Sequence, residues 1–488
     1  MPKANIRSSE DLNRKILETI KEDQVRWIDL QFLDVPGFLQ HITVPSHTLD
    51  EASFIDGIGK LDGSSIKGFK EIYESDMLLI PDSSTFAMIP WTQQKTARMF
   101  TDLREAYGGP RFSRDPRYIA QQAEEAVKKA GFDVSYWGPE AEYFVFDSVK
   151  LLPSYLSARD SWAGTGYAIE SKEAIWSQGG INFPIRNKEG YYPAPPEDTL
   201  QDYRSEVCSI LEDNFGISLD AHHHEVATAG QIEIDMEYDE LLKMADNLVS
   251  YKFVAKNVAY MRKMIATFMP KPIFGDNASG MHVHQSLWKG GKNVFFDPDD
   301  DYAEISQVCR YYAGGLMEHS RALAAIVAPT TNSYKRLVPG YEAPVYVAWS
   351  KRNRSANVRV PVYHKGGEYA MKTKRVEFRP PDTSCNPYYA FGAMLAAGLD
   401  GIKKKTDPGD PTDENIYHLT PSKRKELGIK ELPGSLKEAL EELSGDREFL
   451  EPIFPSDLID TWIELKMEEY TQNSIRPTPY EFYRYFDI

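Results

Sequence analysis

Residues 219–225 read LDAHHHE, and residues 230–234, a few positions later, read GQIEI. In an extended chain, side chains two residues apart point to the same face. This alternation puts His223 and Glu225 on one face, and it places Glu233 opposite its two apolar isoleucine neighbours. The pattern predicts two strands that each present ionisable groups on a single face.

Three other segments repeat this alternation. Glu140 and Glu142 form one pair, His282 and His284 form another, and residues 375–379 (RVEFR) form the third. Each segment alone has an ordinary explanation, such as a solvated sheet edge, structural histidines or a surface ion-pair ladder. Together they predict strands that line one cavity dense in carboxylate and imidazole groups. Carboxylates gather in a cavity where positive charge compensates them, and this mixed ligand set favours Mg²⁺ or Mn²⁺ over tetrahedral zinc. The abundance of glutamates indicates two ions or more.

A cationic group follows in the sequence. A run of arginines in an acidic protein usually forms a solvated or ion-paired face. Beside a carboxylate–metal cluster, however, arginine forks match phosphate oxygens, and phosphoryl transfer requires that combination. Neither GxxxxGK[ST] nor GxGxxG occurs, so any nucleotide site is of another kind. The basic residues are Lys335, Arg336, Arg352, Arg354, Arg359, Arg375 and Arg379.

Composition limits the class of protein. The chain has 488 residues, 42% of them hydrophobic, which is enough for a sizeable core. The net charge of -17 argues against nucleic acid or an anionic membrane as the main partner. No apolar run of about 18 residues and no signal-peptide pattern is present, and the three cysteines are widely spaced. We therefore expect a cytoplasmic protein without a membrane span.

The coarse organisation indicates a small N-terminal domain and a larger body. Short apolar runs between turn residues predict strands up to about residue 100. Asp115 and Pro116 are typical of a helix start, and Gly131 of its end. Further helical patterns cover residues 239–267 and 435–473. Strands that alternate with helices favour an α/β or α+β body.

Taken in order, these motifs resemble type I glutamine synthetases, and the resemblance covers nearly the whole chain. It implies an α+β fold with an N-terminal β-grasp domain (1–110) and a C-terminal catalytic domain (111–488) built on an antiparallel sheet with flanking helices. It implies ATP-dependent ligation of ammonia to the γ-carboxylate of L-glutamate through γ-glutamyl phosphate. It also implies two stacked hexameric rings of identical subunits, active sites at subunit interfaces, and PII-type or small regulatory partners. The matching segments are 62–65, 138–142, 221–233, 275–284, 329–359 and 375–381.

The resemblance also implies site residues. One divalent ion would be held by Glu142, Glu225 and Glu233, and a second by Glu140, His282 and Glu377. ATP would contact Tyr238, His284, Arg359, Lys372 and Arg375. Glutamate would contact Asn277, Ala278, Arg336 and Arg379. Arg354 would stabilise the phosphoryl group, Glu342 would close over the site, and Asp62 of a neighbouring subunit would bind ammonium.

Three features depart from the family pattern, and two alternative functions stay open beside the main one. Ala278 replaces a frequent glycine, Asp220 replaces a frequent glutamate, and residues 414–419 only loosely match the loop that some members adenylylate on tyrosine, here Tyr417. A relative that ligates glutamate to a larger amine would keep the same metal and ATP residues. A catalytically silent protein would be expected to lack a metal glutamate, and this sequence retains them all.

Overall fold

The N-terminal part of the chain forms a six-stranded sheet in the computed structural model, which describes residues 9–152, 166–177, 183–339 and 343–488. The strand order is β2-β1-β6-β4-β3, with β5 also paired to β6. Strands β1 and β6 are parallel, and the other described pairs are antiparallel. The strands are β1 (Trp27–Leu33), β2 (Leu39–Pro45), β3 (Ile58–Asp62), β4 (Asp76–Pro81), β5 (Ala87–Ile89) and β6 (Thr96–Glu105).

A larger sheet of eleven described strands forms the centre of the remaining chain, in the order β10-β11-β7-β14-β18-β17-β16-β19 with β12, β13 and β15 alongside. Its pairs are antiparallel except for β16 with β17, and β8 pairs separately with β9. The strands are β7 (Val134–Phe146), β8 (Ser148–Leu152), β9 (Gly166–Glu170), β10 (Leu219–His224), β11 (Gln231–Met236), β12 (Asp239–Glu240), β13 (Ile265–Thr267), β14 (Met281–Lys289), β15 (Lys292–Asn293), β16 (Tyr346–Lys351), β17 (Ala356–Val360), β18 (Val376–Phe378) and β19 (Lys430–Glu431).

Thirteen α-helices accompany the two sheets within the described residues, and none there has the length and apolar character needed to cross a bilayer. They are α1 (Ser9–Glu22), α2 (Pro116–Lys129), α3 (Gln201–Phe215), α4 (Leu241–Met261), α5 (Gln307–Glu318), α6 (Ser320–Val327), α7 (Ser333–Arg336), α8 (Gly367–Thr373), α9 (Pro387–Lys404), α10 (Pro421–Glu426), α11 (Leu436–Gly445), α12 (Ser456–Ser474) and α13 (Pro479–Tyr485). The two sheets with segregated helices confirm the predicted α+β class.

The core lies between one face of the central sheet and helices α4 and α9. Trp137 of β7 stacks on Phe391 of α9, with ring centroids 5.1 Å apart. Tyr143, six residues along the same strand, meets Tyr251 of α4 edge-on at 5.7 Å. Because side chains alternate along a strand, this apolar contact directs the even-numbered residues of β7 to the opposite face. Helix packing therefore determines which face presents the glutamates.

A buried ion network joins helix α2 to the N-terminal region and to helix α4. Arg117 donates to Asp82 and Asp102 in the N-terminal region and to Asp246 of α4, at distances of 2.6–3.1 Å. Asp246 also accepts a hydrogen bond from Tyr388 at 2.6 Å. Removing one partner of such a buried network leaves an uncompensated charge, so each member is structurally important.

The helix predictions are confirmed in part. Asp115 caps α2 by accepting from the backbone of Arg117 at 3.0 Å, and Gly131 follows the helix with φ of +87°. The predicted helix over 239–267 was too long, because the chain reverses after α4 at Lys263 (φ +59°) and residues 265–267 pair with β7 as a strand. The predicted helix over 435–473 is divided into α11 and α12, since prolines occupy positions 452 and 455 between them.

Candidate active site

Cross-strand pairing brings the predicted carboxylates and histidines onto one face of the central sheet. His223 of β10 lies opposite Glu233 of β11, and Glu233 lies opposite Glu142 of β7. Two residues along β7, Glu140 lies opposite His282 of β14. Directly paired residues share a face, so strands that are distant in sequence supply adjacent ionisable groups.

The first cluster comprises His223, Glu225 and Glu233. One donor atom from each lies within 4.8 Å of the others. His223 is 3.3 Å from Glu233 through Nε2 and 3.7 Å from Glu225 through Nδ1. The neighbouring Glu142 borders this cluster, and its Oε2 accepts from the backbone of Gly280 at 3.1 Å. Two of the three glutamates assigned to one ion, Glu225 and Glu233, thus belong to this cluster, and the third, Glu142, lies beside it on the adjacent strand.

The second cluster comprises Glu140, His284 and Glu377, whose donor atoms also lie within 4.8 Å of one another. His284 Nε2 is 2.8 Å from Glu140 Oε1, and His282 Nδ1 is 3.3 Å from Glu140 Oε2. The sheet register explains the grouping, because His284 pairs with Glu377 across β14 and β18. The structure thus places both histidines of β14 against the same glutamate.

The two clusters differ in their electrostatic balance. Burial, and then neighbouring acids, raises the pKa of Glu233 well above its usual value. Burial also raises the pKa of Glu142 to about 7, and burial followed by the charge of Glu140 raises the pKa of Asp235 to about 6. Burial opposes ionisation of Glu140 too, but His284 and His282 outweigh it and hold the pKa of Glu140 well below 4.5. Acidic groups around the first cluster therefore lack compensating positive charge.

Arginines lie beside the second cluster. Glu377 is buried, and its two oxygens accept from Arg359 and Arg379. Burial opposes its charge, but Arg379 and the nearby histidines lower the pKa of Glu377 to about 2. Arg375 donates from Nε to Nδ1 of His284 at 3.0 Å. Fixed cationic groups of this kind suit phosphate and carboxylate oxygens.

The residues assigned to glutamate lie at the start of β14 and next to it. Asn277 is buried, and the carbonyl of Ala278 accepts from Gln231 at 3.2 Å. Arg336 of α7 is buried and donates to backbone carbonyls at 2.7 and 3.1 Å. A Cβ at Gly280 would lie only 2.7 Å from Nη2 of Arg336, so the glycine permits this close approach.

The nucleotide-side residues form a more open group. Tyr238 is 60% exposed and its ring lies edge-on to Tyr136, with centroids 5.4 Å apart. A Cβ at Gly138 would lie 3.6 Å from Tyr238 and 3.9 Å from His284, which places the tyrosine next to the second cluster. Lys372 of α8 is exposed and pairs with Glu368 of its own helix at 2.6 Å. An exposed aromatic ring next to His284, which accepts a hydrogen bond from Arg375, is suited to a polyphosphate ligand with a planar base.

Asp62 and Arg354 lie outside these clusters. Asp62 is exposed at the end of β3 in the N-terminal sheet, where its carboxylate accepts from Ser64 and Ser65. Arg354 is exposed, and its charge acts on the hydroxyl of Tyr191, whose ring lies edge-on to His223. Glu342 lies outside the described residues.

The donor chemistry fits divalent cations. Both clusters combine carboxylate oxygens with imidazole nitrogen, a set that suits Mg²⁺ or Mn²⁺. Burial raises the pKa values of Glu142 and Glu233, and neighbouring acids raise that of Glu233 further, so added cationic charge would favour their ionised forms. Divalent ions would supply that charge, and zinc with its preference for tetrahedral sulfur and nitrogen ligands fits less well.

Sequence reasoning did not assign roles to His223, Gln231 and Asp235. The structure places His223 in the first cluster and Gln231 against Glu142 beside it, and Asp235 pairs across the strands with Glu140 of the second cluster. His223 belongs to the same strand face as Glu225, and Gln231 and Asp235 belong to the same face as Glu233. The two-residue spacing of side chains along each strand was the sequence signal that could have identified these residues. His224, on the other face, is instead bonded to the buried Glu173 at 3.1 Å.

Comparison with known proteins agrees with this geometry. A family model described as the glutamine synthetase catalytic domain matches residues 113–485, and one described as the glutamine synthetase β-grasp domain matches residues 24–106. The glutamine synthetase of Sulfolobus acidocaldarius is 57% identical over 472 residues, covering 96% of this chain and 98% of that protein. That of Archaeoglobus fulgidus is 48% identical over 481 residues, covering 96% of each.

Solved structures show the same similarity. A cryo-EM structure of Plasmodium falciparum glutamine synthetase superposes with a TM-score of 0.87 at 27% identity, covering 99% of this chain and 100% of that one. A structure titled apo GmaS without ligand superposes with a TM-score of 0.79 at 25% identity, covering 97% and 99%. The family matches span both sheets, so the chain belongs to the glutamine synthetase family.

Proposed function

We propose that this protein ligates ammonia to the γ-carboxylate of L-glutamate with ATP, giving glutamine, ADP and phosphate. The observation that carries the proposal is the pair of carboxylate–imidazole clusters on one sheet face, with buried arginines beside the second. This arrangement combines sites for divalent ions with cationic groups for phosphate, as phosphoryl transfer requires.

The reaction follows in two balanced steps. An oxygen of the γ-carboxylate attacks the γ-phosphorus of ATP, the bond to the β-phosphate breaks, and ADP leaves. The ammonia nitrogen then attacks the carbonyl carbon of γ-glutamyl phosphate, the carbon–oxygen bond breaks, and phosphate leaves with that electron pair. The nitrogen loses one proton in this step, and the departing phosphate accepts it. Ammonium must lose a proton before attack, which is the role proposed for Asp62 and Glu342. Water must be kept away, because hydrolysis of the acyl phosphate would consume ATP without product.

Two divalent ions, Mg²⁺ or Mn²⁺, would be held by the clusters. Glu142, Glu225 and Glu233 are proposed for one ion, with His223 close enough to assist. When bound, such ions neutralise phosphate charge and orient the reacting oxygens. The second site is proposed at Glu140, His282 and Glu377, and His284 lies within the same cluster.

Buried arginines and nearby polar groups would bind the two larger substrates. Arg336 and Arg379 would orient the glutamate carboxylates, together with Asn277 and the backbone of Ala278. Arg354 is proposed to stabilise the phosphoryl group, and its electrostatic effect on Tyr191, whose ring lies edge-on to His223 of the first cluster, supports this assignment. Tyr238, His284, Arg359, Lys372 and Arg375 are proposed as ATP contacts.

The assembly is proposed as two stacked hexameric rings in the cytoplasm, with active sites completed between subunits. Asp62 supports this because it is exposed in the N-terminal sheet, a different sheet from the one that carries the clusters. An exposed acid there is available to a neighbouring copy.

We place the domain boundary at residues 110 and 111, between β6 and α2. PII-type or small regulatory partners remain part of the proposal.

The direct test is glutamine formation by the purified, assembled protein with ATP, Mg²⁺, glutamate and ammonium. Product formation that requires all four components supports the proposal, and absence of glutamine from assembled protein contradicts it. A panel with methylamine and ethanolamine tests the alternative amine. A higher kcat/KM for one of these than for ammonium would reassign the acceptor.

A further inference from the structure

Gln231 of β11 joins three separate segments through its single side-chain amide. Its Nε2 donates to Oε2 of Glu142 at 2.9 Å and to the carbonyl of Ala278 at 3.2 Å. Its Oε1 accepts from the backbone of Ala227 at 2.9 Å. The residue is 1% exposed, so both donor hydrogens and the acceptor are used in a buried environment. Such a fully engaged amide fixes the relative positions of its partners.

The segment that Gln231 contacts is fastened at its other end too. The buried carboxylate of Asp276 accepts from the backbones of Lys188, Thr228 and Asn277 at 2.8–3.0 Å. These bonds hold residues 276–280 against two neighbouring loops. Asp276 is bonded only to backbone groups among these contacts, so it organises the loops. Gln231, in contrast, donates to the carboxylate of Glu142, which lies on the sheet face that carries the two clusters.

Glu142 is therefore linked twice to the same segment. Its Oε2 accepts from Gln231 and, at 3.1 Å, directly from the backbone of Gly280. Within the described residues, both of these bonds end on Oε2, so they orient the carboxylate and leave Oε1 for the first cluster. The bonded segment carries Asn277 and Ala278, which are the residues proposed to bind glutamate.

We propose that Gln231 is a positioning residue that couples the orientation of Glu142 to the glutamate-binding segment at Asn277 and Ala278. The idea rests on the proposed function of the site. Divalent-ion binding and L-glutamate binding then depend on the same amide, although Gln231 touches neither directly. A purely structural glutamine would stabilise the sheet without linking the two affinities.

The variant Gln231→Glu tests the coupling. It keeps the size and the Oε1 acceptor, but it replaces the donor nitrogen with an oxygen that faces Glu142 and the carbonyl of Ala278. Gln285→Glu is the matched control. Gln285 is a buried glutamine of β14 on the opposite face, where its Oε1 accepts from Tyr312 at 2.6 Å.

The measurements are Mn²⁺ binding to the full assembled protein by electron paramagnetic resonance, the KM values for L-glutamate and ATP, and the unfolding temperature. Hydrogen bonds to charged groups predict about a tenfold loss of Mn²⁺ affinity and about a tenfold rise in glutamate KM for Gln231→Glu. The ATP KM should not change. Gln285→Glu should lower the unfolding temperature and leave Mn²⁺ affinity and both KM values unchanged.

Gln231→Met provides the second variant if the charged one does not assemble. It removes the donor without adding charge, so the same pattern is expected with smaller changes. A lowered unfolding temperature with unchanged Mn²⁺ affinity and glutamate KM in both Gln231 variants would overturn the coupling. Glutamine formation by the wild type tests the proposed function separately, and the Mn²⁺ titration does not depend on it.

Discussion

Glu377→Gln tests the second cluster because it removes one charge while keeping the shape of the side chain. Glu377 is fully buried and bound by Arg359 of the adjacent strand β17 and by Arg379, which directly follows β18. Lowering its pKa from 4.5 to about 2 corresponds to roughly 3 kcal/mol in favour of the ionised form. Removal of one partner from a buried ion pair typically costs about 3–5 kcal/mol. We therefore expect the variant to be destabilised by about 3 kcal/mol at pH 7.

The pH dependence of that difference follows from its sign. Because the native pKa is depressed, the stabilisation is fully present above pH 4.5 and is lost as the pH falls toward 2. Thermal unfolding at pH 7 thus measures the whole effect. In the same samples, Mn²⁺ titration and the KM for ATP should show weakening of more than about tenfold, since second-shell changes alone cost about 10–100-fold.

Asp246→Asn is the matched control for this experiment. Asp246 is a buried carboxylate that Arg117 and Tyr388 bind on helix α4, away from the clusters. Its variant should lose comparable stability but keep the Mn²⁺ affinity and the KM for ATP. If Glu377→Gln retains wild-type Mn²⁺ affinity and ATP KM, the second cluster does not hold a metal beside the nucleotide.

The remaining predictions concern three other residues. Asp62→Ala should raise the KM for ammonium with little change in the KM for ATP, and an unchanged ammonium KM would show that the amine site lies elsewhere. Glu342→Ala should slow amine attack more than ATP binding, which a pre-steady-state comparison of ADP and glutamine formation can resolve; equal slowing of both would contradict the lid role. Burial alone would lower the pKa of His319, but Asp446 and Asp400, at 2.8 and 3.0 Å, outweigh it and raise that pKa above 6.5. This stabilisation is full below pH 6.5 and is lost as the pH rises through the pKa of His319 in the folded protein. The unfolding temperature of the wild type should therefore exceed that of His319→Gln by less at pH 9 than at pH 6. A difference that stays constant or grows would refute this.

The sequence predicted the faces of the strands but not their neighbours. The two-residue repeat of a strand predicted that Glu140 shares a face with Glu142 and that His282 shares a face with His284. Both pairs lie on one face as expected. It could not predict that His284 would group with Glu377 through the pairing of β14 and β18. The register between strands depends on long-range packing and on turn geometry. The spacing of residues within one strand encodes neither.

The predicted helix over residues 239–267 was too long for a related reason. The pattern over residues 239–267 is apolar at helical spacing, but residues 265–267 find partners in β7. Tertiary pairing overrides helical propensity where a neighbouring strand offers hydrogen bonds. The cap at Asp115 was predictable because its chemistry is local: one carboxylate, one proline and one backbone amide.

The two faces of β7 explain how the sheet tolerates its own carboxylates. Burial raises the pKa values of Glu142 and Glu233, and neighbouring acids add to the rise at Glu233, so bringing these ionised acids together opposes folding. On the opposite face, the stacking of Trp137 on Phe391 and the packing of Tyr143 on Tyr251 anchor the same strand to α9 and α4. Burying each large aromatic side chain contributes roughly 1.5–3 kcal/mol to the free energy of folding. This stabilisation offsets the cost of holding the acids together in the absence of cations. The core thus holds the acids in place before cations bind, and cation binding should raise the unfolding temperature by mass action.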